Sequence, residues 1–582
     1  MTLSWGPVRR LAAVLCVLGL APVQATAAPG PTDDSPAGLR AEAFEAAQWA
    51  MASDAADALS RVSARFARGD DALGRLAETR ETLIARRDSL ERDQERLYAQ
   101  AGDAGGVERA RVGAEYETVV EQLRASDVEI ERRFPAYSDL TSPHALSIAQ
   151  TQALLKPDEA LLLVLVNPEA SYVWGVSRDR VEWARADDLG ADAVAAAVAT
   201  LRASLTTAAA RGDAALDPTI FAGRPVPAFD RGQSWRLYSE LVRPVESVFE
   251  GKTTLITVVT GALTALPLAV LSTEAPTGPD TAPDALARTP WLIDRYALAT
   301  LPAVSSLKAL RCDLAPLGER NPGCPALTGD SGRRPRATNA GQGSLAAFGA
   351  PVLAGAPADA TRGAPAADSV LGPGRLADVA RLRALPDLPG SRMELETLKR
   401  SFPTALVRIG AEATETAVRG GDAAALSRAR FVVFSTHGLL AGSTAAEPGL
   451  VLTPPEQATE ADDGYLSASE AAQLRLNAEF VVLSACNTAA SDGRPGGEGL
   501  SGLARAFFYA GARSVMVSHW EVSDAATTAL VTTAFADLDA RAGHDPGARA
   551  KALRSAMLQV RADRRWSHPA YWAAFTLVGE PG

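Results

Sequence analysis

The sequence predicts an α/β protein: a mainly parallel sheet flanked by helices, preceded by a helical N-terminal region. Three observations carry that expectation. From about residue 145 onward, apolar runs of strand length alternate with helix-period patterns, as in folds built on parallel strands. Two of those runs, Arg430-Phe-Val-Val-Phe-Ser and Glu479-Phe-Val-Val-Leu-Ser, are continuous β-branched and aromatic stretches that suit buried strands. Before residue 140 the period is helical throughout.

Residues 38–135 read as helices. Ala41–Ala67 is Ala-rich with large side chains at helical spacing, including Phe44, Trp49, Leu59 and Phe66. Leu76, Leu83, Leu90 and Leu97 then recur every seven residues among many charges. Past a glycine-rich break at 101–106, Val112, Tyr116, Val119, Leu123 and Ile130 continue the pattern. This predicts an αα-hairpin with a coiled-coil seam, a helical arm at 28–140. Such an arm packs on its own chain or docks a protein partner.

In 145–385, Ala160–Val166 and Ser171–Ser177 read as strands of a hairpin around Asn167-Pro168. Ala191–Ala209 reads as a helix, and Leu255–Val259, Arg295–Leu301 and Ser344–Gly349 as strands. The stretches Thr273–Pro290, Cys312–Gly343 and Leu353–Val379 are rich in Pro, Gly and Ala and poor in large apolar residues, which predicts loops. In 386–582, a helix follows Pro389-Gly390 through Phe402, then a strand at Leu406–Ile409 and a helix over Thr414–Ser427. After the two buried runs come a helix from Gly497 to Tyr509, a strand at Ser514–Ser518, helices from Asp524 and Gly547, and a final strand over Pro569–Val578.

The chain of 582 residues is too long for one core, and its 47% hydrophobic and 22% charged composition is that of a globular protein. Residues 1–27 have the pattern of a secretory signal: Arg9-Arg10, an apolar Leu11–Ala21 too short to anchor in a bilayer, and Ala25-Thr26-Ala27 for cleavage. The expected location is therefore outside the cytoplasmic membrane, periplasmic or extracellular, with no membrane span in the mature chain. Removing this segment takes away two arginines and no acid, so the net charge moves from −11 to −13. That charge argues against nucleic acid as a partner. Cys312 and Cys324 share one polar stretch and are either a bridge or two loop thiols, which leaves Cys486 as the odd cysteine. With five scattered histidines and no Cys-x-x-Cys, neither a metal site nor a cofactor is expected.

The chemistry concentrates at two strand ends. The first buried run stops at Thr436-His437-Gly438 and the second at Ala485-Cys486-Asn487. Open α/β sheets place reactive groups at the carboxyl ends of strands. Adjacent strands would bring an imidazole to a thiol, the pair a cysteine hydrolase needs. Thr436 and Ser484 are expected to support loops. His144, His519, His544 and His568 lack this setting and are expected to be structural.

Several blocks here, in order, resemble the CHAT domain, a branch of the caspase-like cysteine peptidases related to separase and caspases. They are Phe434-Ser-Thr-His-Gly, Val481-Val-Leu-Ser-Ala-Cys-Asn-Thr and the run from Gly496-Gly-Glu-Gly-Leu to Ser518-His-Trp-Glu-Val-Ser-Asp524. The 49-residue step from His437 to Cys486 also suits a caspase-type order. Weaker likeness reaches back to about residue 230 or as far as 145. The arm resembles the degenerate tetratricopeptide unit that often precedes such domains. The resemblance implies a caspase-like fold and a cysteine endopeptidase acting on a protein or peptide. The dyad would be His437 and Cys486, with the N–H groups of Gly438 and Cys486 as oxyanion donors. Asp524, Glu498 and Trp520 would contact substrate, with Asp524 favouring Arg or Lys before the scissile bond or, in the plainer reading, capping a helix. The 145–385 part would be a half without a dyad. Other readings are a silent scaffold and a hydrolase of non-peptide amides.

Overall fold

The computed structural model describes residues 35–51, 106–133, 145–209, 228–313 except 283, 321–324, 345–355, 376–439, 448–485, 502–541 and 547–582, with 79, 83, 86, 87, 90 and 488. Residues 1–34, the expected signal among them, lie outside the described residues, as do Cys486 and Glu498. The chain divides into a short unit, Met1–Ala43, and a large one, Phe44–Gly582. Within the first, the described residues begin a helix, Pro36–Ala50, where Ser35 Oγ accepts the Gly38 N–H at 3.1 Å.

In the large unit an 11-stranded sheet runs in the order β3-β2-β1-β4-β5-β14-β13-β12-β8-β6-β7. Its strands are β1 Glu159–Val166, β2 Ser171–Ser177, β3 Val181–Ala186, β4 Thr254–Val259, β5 Ala297–Thr300, β6 Leu345–Gly349, β7 Leu406–Ile409, β8 Phe431–Ser435, β12 Phe480–Ser484, β13 Ser514–Ser518 and β14 Phe575–Gly579. A second sheet of three strands joins β9 Gly438–Leu439, β10 Gly449–Val451 and β11 Tyr465–Ser467. The β1–β2 hairpin turns at Asn167-Pro168 as expected, with Val166 opposite Ser171.

The last strand is the seam of the sheet. β14 pairs parallel with β5 and antiparallel with β13. In one block β1, β4 and β5 run parallel to one another, as do β13, β12, β8, β6 and β7 in a later block, and Glu580, beside Ser514 at the start of β13, shares Arg311 with Glu159 at the start of β1. β6, which precedes residue 385 in sequence, pairs with β7 and β8, on the side of His437. The expected final strand over Pro569–Val578 is also shorter, because Pro569–Trp572 forms a helical turn started by Pro569 and capped by His568. One core runs under both blocks, from Leu162 and Leu255 to Phe431, Phe480 and Trp572. Phe535 of the Asp524–Ala540 helix packs its ring 5.9 Å from those of Phe402 and Phe431.

The helix expected over Thr414–Ser427 is broken. Residues Ala417–Gly421 form a wide turn ahead of a short helix, Ala423–Leu426, and the Gly420-Gly421 pair explains the break. In the arm, Gly106–Arg133 is one helix. Leu83 and Leu90 meet Val112, Tyr116, Val119 and Leu123, and Arg86 pairs with Glu115 across the hairpin. Leu83 and Leu90 of the leucine seam thus pack within the hairpin, while Leu76 and Leu97 lie outside the described residues. Among the described residues no helix is long and apolar enough to cross a membrane.

Candidate active site

β8 and β12 are neighbours, parallel and in equal register, with Ser435 opposite Ser484. The ladder runs one residue further, where the Thr436 N–H donates to the Ser484 carbonyl at 3.2 Å. In sequence, His437 lies two residues past Ser435 and Cys486 two past Ser484. Equal register and equal offset are what two reactive groups need in order to face one another.

His437 is fully buried. Its Nε2 lies 2.8 Å from the Pro386 carbonyl oxygen. A carbonyl only accepts, so Nε2 carries the proton and Nδ1 is the basic nitrogen of the neutral ring. Pro386 was not expected from the sequence. Its contribution comes from the backbone and leaves no side-chain signature. Its connection is tightly fitted: Gly355 N–H donates to Leu385 O at 3.2 Å, and a Cβ on Gly355 would lie 2.4 Å from Ala384 O.

Gly438 begins β9, an edge strand. The His437 carbonyl accepts from Val451 N–H at 3.0 Å, which makes 437 and 451 the hydrogen-bonded pair of the antiparallel ladder. Gly438 faces Leu450 in the non-hydrogen-bonded position, so its N–H points away from β10. The ladder with β10 does not consume this donor. Thr436 Oγ1 donates to the Val451 carbonyl at 2.5 Å, the loop-supporting part foreseen for it.

The strand leading to Cys486 is held from both sides of that residue. Ser518, at the end of β13, donates through Oγ to the Ala485 carbonyl at 2.5 Å and accepts from Thr488 N–H at 3.3 Å. Thr488 Oγ1 in turn accepts the Ser518 N–H at 2.8 Å. Ser484 Oγ donates to buried Glu394 Oε2 at 3.0 Å, on the Pro389–Ser401 helix. Ser518 and Glu394 were missed in the sequence because their value depends on neighbours far along the chain.

On the other flank, β6 presses against β8. A Cβ at Gly349 would sit 2.0 Å from the Ser435 carbonyl oxygen, so only glycine fits. Ala350 follows with φ +47°, the one non-glycine in the left-handed region among the described residues, and donates to Ser435 O at 3.0 Å. Left-handed backbone beside a strand end is strain held by its surroundings.

Trp520 and Asp524, among the residues expected to contact substrate, have partners within the protein. Trp520 is fully buried, its Nε1 donating to Ala570 O at 2.9 Å, so it packs in the core. Asp524 is 2% exposed and its Oδ2 accepts from Gly390 N–H at 2.5 Å. It is not the cap of its own helix, because Ser523 holds that position. His519 is buried with Nε2 3.0 Å from Thr576 Oγ1, and burial together with nearby Arg202 pushes its pKa down to about 3. It stays a neutral structural ring at any physiological pH. Below the small sheet, Glu415 accepts the Asp463 N–H at 2.9 Å, and burial raises its pKa to about 7 despite Arg419. A cavity of about 650 Å³ beside it, lined by Val418, Arg419, Leu426 and Leu474, includes none of the expected site residues. Among the described residues no group of three or more His, Cys, Asp or Glu is disposed to hold a metal ion.

An imidazole at one parallel strand end, beside a strand whose sequence runs on to a cysteine, is a layout suited to thiol hydrolysis on an α/β sheet. The chain belongs to the CHAT domain family, whose model matches residues 232–580. Over 115 residues it is 39% identical to tetratricopeptide repeat protein 28 of Mus musculus and 34% identical to that of Homo sapiens, an alignment covering 20% of this chain and 4% of each relative. In structure it is similar to separase in the Saccharomyces cerevisiae separase–securin complex, at 11% identity and TM-score 0.40, over 86% of this chain and 37% of that one. It is also similar to the Arg-specific cysteine proteinase gingipain R, at 11% identity and TM-score 0.30, over 62% of this chain and 68% of that one.

Proposed function

We propose that the protein is an exported cysteine endopeptidase in which His437 and Cys486 form the catalytic dyad. The observation that carries this reading is the equal register of β8 and β12, together with the Pro386 carbonyl on Nε2 of His437. The imidazole takes the thiol proton at Nδ1. The thiolate attacks the scissile carbonyl carbon, and the carbonyl electron pair moves to oxygen, where the Gly438 and Cys486 N–H groups receive it. Collapse breaks the C–N bond, and the amine leaves with the proton from Nδ1. Water, deprotonated by the same nitrogen, attacks the thioester and releases the acid and the thiol. The Pro386 carbonyl stabilises the imidazolium formed in between.

The substrate in this reading is a protein or peptide, and the charged outer face of the helical arm is where a protein partner would dock. The proposal assigns no preference for Arg or Lys, because Asp524, the acid expected to select them, is 2% exposed and bonded to Gly390. Export is supported by the Cys312–Cys324 disulfide, with Cα atoms 5.5 Å apart, since such bridges persist in oxidising compartments. The test is turnover of a denatured protein mixture by the mature chain and by its Cys486→Ala variant, read by mass spectrometry of new termini. Equal cleavage by both would reject the reading. N-terminal sequencing of native protein should begin near Ala28; an intact Met1 would reject export.

A further inference from the structure

The Pro389–Ser401 helix begins without a side-chain cap of its own: Leu388 precedes it and Pro389 opens it. A helix start leaves N–H donors unsatisfied and carries partial positive charge. Here the missing acceptor comes from another helix. Asp524 Oδ2 takes the Gly390 N–H at 2.5 Å, while Thr528 Oγ1, one turn on, shares its one proton between the Gly390 carbonyl at 3.0 Å and the Asp524 carbonyl at 2.9 Å. The fit is close enough that a Cβ on Gly390 would lie 2.3 Å from that carboxylate oxygen. Gly390 is therefore gripped at both its N–H and its C=O.

Gly390 is four residues from Pro386, whose carbonyl meets His437. The connection between them is stiff. Pro386 and Pro389 fix their own φ angles, and Leu385 and Leu388 are buried. A shift at Gly390 has little room to dissipate before it reaches the carbonyl. The same helix also touches the other reactive strand, through Glu394 and Ser484.

We propose that Asp524 and Thr528 are positioning residues that hold Gly390, and through it the Pro386 carbonyl, on His437. This rests on the dyad reading above. It also separates two uses of one carboxylate. A pocket acid selecting a cation needs charge, whereas a brace on an N–H needs only an acceptor, which asparagine also offers.

The experiment uses the full mature chain as wild type, Asp524→Asn, Asp524→Ala and Thr528→Val. Circular dichroism confirms folding. The readouts are kcat and KM on a peptide substrate and the iodoacetamide rate at Cys486 followed by mass spectrometry. The expected result is that Asp524→Ala lowers both kcat and the Cys486 rate about tenfold, with KM within about twofold, and that Thr528→Val lowers them about threefold. Asp524→Asn should recover to within about twofold of wild type, as a brace requires. If Asp524→Ala does not fold, Asp524→Asn and Thr528→Val decide between charge and brace. Unchanged Cys486 alkylation in Asp524→Ala and Thr528→Val overturns the proposal, as does an Asp524→Asn loss as deep as that of Asp524→Ala. A wild type without turnover whose Cys486 alkylation still falls in Asp524→Ala keeps the brace and removes the peptidase reading.

Discussion

Replacing Arg311 should unlock the seam strand from the rest of the sheet. Arg311 is 3% exposed and lies between two carboxylates that are themselves buried. It donates to Glu159 at 2.7 and 2.8 Å and to Glu580 at 2.9 and 3.0 Å. Glu159 opens β1, and Glu580 follows β14, so this one guanidinium ties the C-terminal strand to β1, three strands away in the sheet. In Arg311→Met the volume is roughly kept, but two buried carboxylates lose their shared partner, and the cations left near Glu580 are Lys156, 3.2 Å away, and Arg513. Breaking a buried pair on one side costs about 3–5 kcal/mol. The pH dependence should change as well. Burial alone would raise the Glu580 carboxyl; Arg311 and Lys156 outweigh it and hold it well below the usual carboxylate range. In the wild type that stability is fully present above the unfolded pKa, near 4.5, and is lost as pH falls below it. In the variant burial wins, a carboxyl titrates above that value, and acidification from about pH 7 to about pH 5 should recover up to about 1.4 kcal/mol per pH unit for each proton taken up. Urea unfolding followed by tryptophan fluorescence at both pH values measures the penalty. A loss under about 1 kcal/mol at pH 7, or a penalty that grows on acidification, would refute this reasoning.

Ser518→Ala should lower Cys486 alkylation and kcat about tenfold, since one hydroxyl bonds both Ala485 and Thr488; wild-type alkylation in that variant would remove Ser518 from the nucleophile's support. Replacing Cys312 and Cys324 together by serine should cost about 3 kcal/mol, the loop-closure value for a 12-residue separation, read as a shift in the urea midpoint; no shift would mean the bridge constrains nothing. Gly349→Ala should abolish turnover and lower the melting temperature, because its Cβ would strike the Ser435 carbonyl beside the dyad strand; a fully active variant would contradict that packing.

Much of this was legible in the sequence where the signal is local. The runs Phe431–Ser435 and Phe480–Ser484 read as buried strands because β-branched and aromatic residues fill them without alternation, and both are. The Ser171–Ser177 and Ser514–Ser518 strands and the Ala191–Ala209 helix came out with their observed bounds. Long-range pairing was not legible. Nothing in Phe575–Gly579 says that it enters between β5 and β13, and nothing in Leu345–Gly349 says that it joins the later block. The two- and three-residue strands β9, β10 and β11 are too short to leave a period. At the site, His437 was visible because an imidazole closely follows the end of a buried strand. Pro386 was not, because it acts through a carbonyl every residue possesses. Asp524 was read toward a substrate, since a sequence shows an acid's charge but not where its carboxylate points.

The most direct test of the dyad is covalent. A peptide acyloxymethyl-ketone probe captures a thiolate only where an imidazole has activated it and a cleft accepts the peptide. Wild-type mature protein and a His437→Ala variant would be labelled at neutral pH and digested, and the modified residue mapped by mass spectrometry. The dyad predicts a single adduct on Cys486 in the wild type and its near loss in His437→Ala. Equal labelling of Cys486 in both proteins, or an adduct placed on another residue, would contradict it.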